Sequence, residues 1–151
     1  MRLRGKAEVL ILGSFPSAAS LAVQQYYAHK QNHFWKILGA ILKQPLAEMD
    51  YAARVRVVQR AGIAIWDVYA ACERQGSLDS AIRRGSPNDL SALVRRHAIR
   101  RVCFNGQTPG KFAPSLAALG VETRILPSTS PANATWNFER KLAAWREGLS
   151  V

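Results

Sequence analysis

Side chains able to hold a planar ligand gather wherever an apolar run of this chain ends. Between Gly13 and Trp35 the sequence reads GSFPSAASLAVQQYYAHKQNHFW, directly after the run Val9-Leu10-Ile11-Leu12. It offers Ser14, Phe15, Ser17, Asn32, His33 and Phe34. Asp67 follows Ile63-Ala64-Ile65-Trp66, Asn105 follows Arg101-Val102-Cys103-Phe104, and Ser128-Thr129-Ser130 follow Val121 to Leu126. Aromatic faces can stack, amides and a carboxylate can read hydrogen-bonding edges, and hydroxyls can meet phosphate. No Ser-His-Asp order, paired carboxylates or metal-ligand cluster stands among them. His29 and His33 are four apart without a nearby third ligand, so no metal is expected.

These residues need a scaffold that brings strand ends together. Strands are expected from about Ala7 to Leu12, Ile63 to Trp66, Arg101 to Phe104 and Val121 to Leu126. Helical patterns cover Ser17 to Gln25, with Ser17 as an N-cap, and Phe34 to Leu42. Others run from Ala47 to Ala61, Leu78 to Arg84, Pro87 to His97 and Lys111 to Leu119. In the Ala47–Ala61 helix, Met49, Ala53 and Val57 form an apolar stripe, and Arg54, Arg56 and Arg60 are left for the outside. Gly62 stops that helix. In the last helix Phe138, Leu142 and Trp145 recur at i, i+4 and i+7 and read as core. Strands alternating with helices imply α/β architecture with a parallel sheet, in which functional loops gather at the C-terminal ends of the strands.

The 151 residues make one domain, residues 1–151, with 48% hydrophobic content. Its 21 Lys and Arg against 10 Asp and Glu give a net charge of +11. Such an excess points to a polyanionic partner, nucleic acid first, or else to a solvated basic surface. No run approaches the ~20 apolar residues of a membrane span, and no signal peptide opens the chain. Cys72 and Cys103 lack metal-site spacing and are expected to be reduced, buried residues of a cytoplasmic protein. The dinucleotide fingerprint and the P-loop are both missing, so no nucleotide cofactor is expected.

A basic protein with an aromatic, amide-lined pocket suits extraction of a base from DNA, where the flipped base is stacked and its edge read. Here the residues reach a known family. The opening stretch resembles the first motif of the uracil-DNA glycosylase superfamily, and within it the hypoxanthine-DNA glycosylase branch. The resemblance continues through GIAIWDVYAACERQGSLDSAI, the Ser86-Pro87-Asn88-Asp89 helix start, CFNG at Cys103 to Gly106, and LPSTSPANA at Leu126 to Ala134. It implies a three-layer α/β/α fold around a short, mainly parallel four-stranded sheet. It also implies a monofunctional glycosylase acting on double-stranded DNA as a monomer, without metal or cofactor.

The resemblance distributes roles. Related branches carry a water-activating Asp or Asn within the first turn; this chain has Phe15, which cannot orient water. The role passes to Asn32 of the Asn32-His33-Phe34-Trp35 element, unless Asn32 is a loop-capping amide. Phe34 supplies a stacking face or is a core residue beside Trp35, and Phe15 forms a further wall. Asp67 stands where uracil-specific relatives carry a base-reading Asn; otherwise it accepts backbone N–H bonds after its strand. Asn105 touches the base or ends its strand. Ser128, Thr129 and Ser130 occupy the position of a phosphate-gripping loop, or form a polar turn, and Ser14 and Ser17 are further DNA contacts. Leu126 replaces a histidine that assists the leaving base. The implied substrate is a deaminated base, hypoxanthine and then xanthine. The alternatives are a uracil or mismatch glycosylase, and an inactive nucleic-acid-binding module.

Overall fold

The computed structural model describes residues 8–13, 32–67, 87–130 and 136–149. Strands β1 (Val9–Gly13), β2 (Ile63–Asp67), β3 (Arg101–Asn105) and β4 (Glu122–Leu126) form one sheet of order β2-β1-β3-β4. Every pairing is parallel. Gly13 lies opposite Asp67, and Asn105 opposite Leu126, so all four strands finish at one edge. The order turns from β2 to β3 on either side of β1, which puts the crevice of such a sheet beyond β1 and β3.

Alternation along the strands explains the layers. Leu10, Leu12, Val102 and Phe104 join Ala64 on one face, against Leu90 and Val94 of α3 (Pro87–Arg96) and Leu116 of α5 (Ala113–Ala117). Val9, Ile11, Cys103, Ile63 and Ile65 face the other way, onto α1 (Phe34–Leu42), α2 (Tyr51–Arg60) and α6 (Phe138–Leu149). Strands covered on both faces must be apolar throughout, and β1 is buried along its whole length. Each such Leu or Ile contributes roughly 1.5–3 kcal/mol by leaving water, which makes the sheet edge a fixed platform. The three-layer α/β/α expectation holds.

Two helices differ from the sequence expectation for identifiable reasons. The Ala47–Ala61 pattern begins instead as a 3-10 turn at Leu46–Glu48, and α2 starts at Tyr51. Asp50 is extended and its Oδ1 accepts the Ala53 N–H at 2.8 Å, a cap that resets the helix start. Gly62, at φ +77°, closes the turn after α2. The Lys111–Leu119 pattern shortens to α5, which has Pro114 in its first turn, and a separate short helix, α4 (Gln107–Gly110), precedes it.

Arg54 is corrected from surface to packing. Its Nε donates to Met49 O at 2.9 Å, one terminal nitrogen to Ala47 O at 3.0 Å, and its guanidinium lies 5.3 Å from the Trp35 ring centre. Trp145 is buried in the core cluster as its spacing indicated, and Phe138 and Leu142 are half-buried and pack against it. Cys103 is buried and reduced, and burial pushes its thiol up to about 12. The expected helix at Leu78–Arg84 and Cys72 lie outside the described residues. Among the described residues no helix is long and apolar enough to cross a membrane.

Candidate active site

Beyond the ends of β3 and β4, the entry to α1 and the loop after β4 are tied into one hydrogen-bonded unit. Asn105 closes β3 and is 8% exposed. Its Oδ1 accepts the Thr129 backbone N–H at 2.9 Å, and its Nδ2 donates to Thr129 Oγ1 at 3.0 Å. Thr129 is fully enclosed, and its carbonyl accepts the His33 backbone N–H at 3.0 Å. Asn32 Oδ1 in turn accepts the Phe34 N–H at 2.9 Å. A continuous path of bonds therefore leads from β3 to the segment carrying Asn32.

Helix α6 braces the same unit from behind. Trp145 Nε1 donates to Pro127 O at 2.8 Å. Lys141, 1% exposed, donates from Nζ to Ser130 O at 3.3 Å and lies 3.5 Å from His33 Nδ1. The Phe138 ring meets His33 edge-on, centroids 5.4 Å apart. Burial, then Lys141 and Lys36, hold the His33 imidazole below its ordinary range, which favours the neutral ring. Burial likewise depresses Lys141.

Asn32 stands just before α1. It is half-buried, and the Phe34 N–H fixes the plane of its amide. The second lone pair of Oδ1 remains, and Nδ2 has no partner among the described residues. A pre-oriented amide of this kind can hold a water molecule.

Three site expectations change. Phe34 is fully buried, with Trp35 and Trp145 packed edge-on at 5.0 and 5.9 Å. It offers no open face to a base and belongs to the core. Asn105 meets Thr129 through both ends of its amide, which makes it a brace in place of a base contact. Thr129 is sealed from solvent and cannot reach a phosphate. Ser128 and Ser130 are half-buried, and Ser128 Oγ accepts the Ser130 N–H at 3.2 Å. Asp67 ends β2 opposite Gly13, at the sheet edge where the strands finish. Phe15, Ser14 and Ser17 lie outside the described residues.

The sequence reading missed Lys141 and its contact with His33. A lysine three residues after Phe138 and four before Trp145, on the apolar face of α6, was the available signal.

Gly106 holds the crossing of β3 and the β4 loop. Its φ of +102° and ψ of 174° suit glycine, and a Cβ there would stand 3.2 Å from Ser128 Cβ. Gly106→Ala is expected to cost about 1–3 kcal/mol, read as a lower thermal unfolding midpoint. An unchanged midpoint would show that this crossing is not constrained.

The family model for the uracil DNA glycosylase superfamily matches residues 3–148, nearly the entire chain. The chain belongs to the uracil DNA glycosylase superfamily. It is 39% identical to the hypoxanthine DNA glycosylase of Methanosarcina acetivorans over 135 residues, 89% of this chain and 85% of the relative. It is also 39% identical to that of Methanosarcina barkeri over 143 residues, 94% of this chain and 90% of the relative. A solution NMR structure from M. acetivorans, described as a candidate uracil DNA glycosylase, superposes with a TM-score of 0.79 at 38% identity. That match covers 96% of this chain and 92% of the other.

Proposed function

We propose that this superfamily member is a monofunctional DNA glycosylase of base excision repair. It hydrolyses the N-glycosidic bond of a deaminated base, hypoxanthine first and xanthine second, flipped out of double-stranded DNA. An abasic site remains. The observation that carries this reading is 39% identity, over about nine-tenths of the chain, to two proteins named hypoxanthine DNA glycosylase. The net charge of +11 suits a polyanionic substrate. We read the protein as a cytoplasmic monomer.

Breaking the bond separates a cationic sugar from a departing base anion, so the attacking water needs orientation more than deprotonation. Asn32 is the residue we assign to that water: an amide has no useful basicity, but its plane is fixed by the Phe34 N–H. Asp67 is assigned to the base edge. An ionised carboxylate accepts the N1–H of hypoxanthine and is repelled by the N1 lone pair of adenine, a mismatch worth several kcal/mol in a dry site. Phe15 is assigned to the pocket wall. Ser14, Ser17, Ser128 and Ser130 are assigned to the DNA backbone.

Uracil presents the same donor–acceptor pair as hypoxanthine, and the NMR relative is described as a candidate uracil enzyme. A lesion panel separates these readings. Purified protein is incubated with duplexes carrying inosine, xanthosine, uracil or no lesion, and abasic sites are cleaved with alkali. Strand cleavage is expected first on inosine. Cleavage on uracil alone would replace the substrate, and cleavage on none would overturn the enzymatic reading in favour of a binding module.

A further inference from the structure

Lys141 is an unusual core residue. Phe138, Lys141 and Trp145 share the inward face of α6, and Lys141 is 1% exposed. Lysine stems are often buried while the head reaches water; here the ammonium is enclosed too. No carboxylate among the described residues pairs with it; Arg101 and Arg124 pair with Glu122 elsewhere. The Lys141 head meets one backbone carbonyl, of Ser130, and one imidazole nitrogen, of His33. Removing an ammonium from water costs several kcal/mol, and two neutral acceptors offset that only partly. An apolar side chain of equal length would serve the core better.

The position of those two acceptors accounts for the ammonium. Ser130 belongs to the loop after β4, and His33 directly follows Asn32. An ammonium only donates, so this contact calls for His33 Nδ1 as the acceptor, with the ring proton on Nε2. The His33 backbone also donates to Thr129 O, one residue before Ser130. Lys141 thus closes a small ring in which the Asn32–Phe34 segment and the Ser128–Ser130 loop are held twice, once by backbone and once by a charged head.

We propose that Lys141 is a positioning residue for base excision: its Nζ fixes the His33 ring and the Ser130 carbonyl, and so keeps Asn32 in register with the loop after β4. Lys141 touches neither substrate nor water in this role. It sets the geometry of a residue that does. The inference rests on the glycosylase reading and on the assignment of Asn32.

The test compares wild type, Lys141→Met, His33→Ala and the double variant. Single-turnover excision is followed on an inosine duplex, with affinity for a non-cleavable 2′-fluoro inosine duplex and thermal unfolding alongside. Methionine keeps the stem and removes the charge, so Lys141→Met is expected to melt at or above the wild-type temperature. Its maximal excision rate should nevertheless fall about tenfold or more, with affinity within about twofold of wild type. Adding His33→Ala should lower the rate no further, because both act through one contact. A Lys141→Met rate equal to wild type would overturn the proposal. So would a rate that falls only in step with stability, or losses that add in the double variant. Absence of excision by the wild type would instead overturn the glycosylase reading, and this inference with it.

Discussion

Asn32→Ala is expected to lower single-turnover excision of hypoxanthine by about 10²-fold or more, through loss of water orientation, while DNA affinity changes little. The two functions of Asn32 must be separated for this to be informative. Alanine also removes the acceptor for the Phe34 N–H, a contact at 2.9 Å that shapes the start of α1. Loss of such a local cap costs about 1 kcal/mol, too little to unfold a domain of ordinary stability. Asn32→Ser supplies the control. A serine hydroxyl can accept a nearby backbone N–H, more weakly than an amide, but it is too short to reach the same water. Serine should therefore recover part of the stability and none of the rate. If Asn32→Ser restores excision, capping is the whole contribution of Asn32 and the water is oriented elsewhere.

The scaffold beneath Asn32 was legible because its signals are local. Val9 to Leu12, Ile63 to Trp66 and Arg101 to Phe104 are short apolar runs bounded by turn residues, and each is a strand within a residue or two. The break between Leu46 and Asp50 was less legible. An apolar stripe from Met49 to Val57 runs through it, and only the Asp50 cap marks where the helix begins. Arg54 shows the limit in another form: its type says surface, while Trp35 and two carbonyls give it partners that spacing cannot show.

Site roles were legible as residue types but not as directions. Asn105, Thr129 and Phe34 stand where a base or phosphate contact was expected, yet each is turned inward. An amide or hydroxyl at a strand end serves a ligand or a neighbouring loop equally well. The choice depends on a partner 24 residues away, between Asn105 and Thr129, or 108 residues away, between His33 and Lys141. Periodicity carries nothing across such distances.

The inward turn of Asn105 leads to the second large expected effect, on stability. Asn105→Ala removes the acceptor for the Thr129 N–H and the donor to Thr129 Oγ1, both in a buried site. Alanine can satisfy neither group. Stranding a buried donor costs about 1–3 kcal/mol by itself, so the variant should lose about 2–4 kcal/mol in all. For a chain of this size that lowers the unfolding midpoint by on the order of 5–15 °C. Thr129→Val removes only the hydroxyl and keeps the backbone N–H bonded to Oδ1, so its cost should be smaller. In the double variant the two losses should fall short of their sum, since they share one contact. Additive losses, or a midpoint for Asn105→Ala within a degree of wild type, would return Asn105 to the base-contacting role. Excision should decline with Asn105→Ala as well, since Thr129 O holds the His33 N–H one residue from Asn32. The brace at the end of β3 thus leads through Thr129 and His33 to Asn32, the residue we propose for the water.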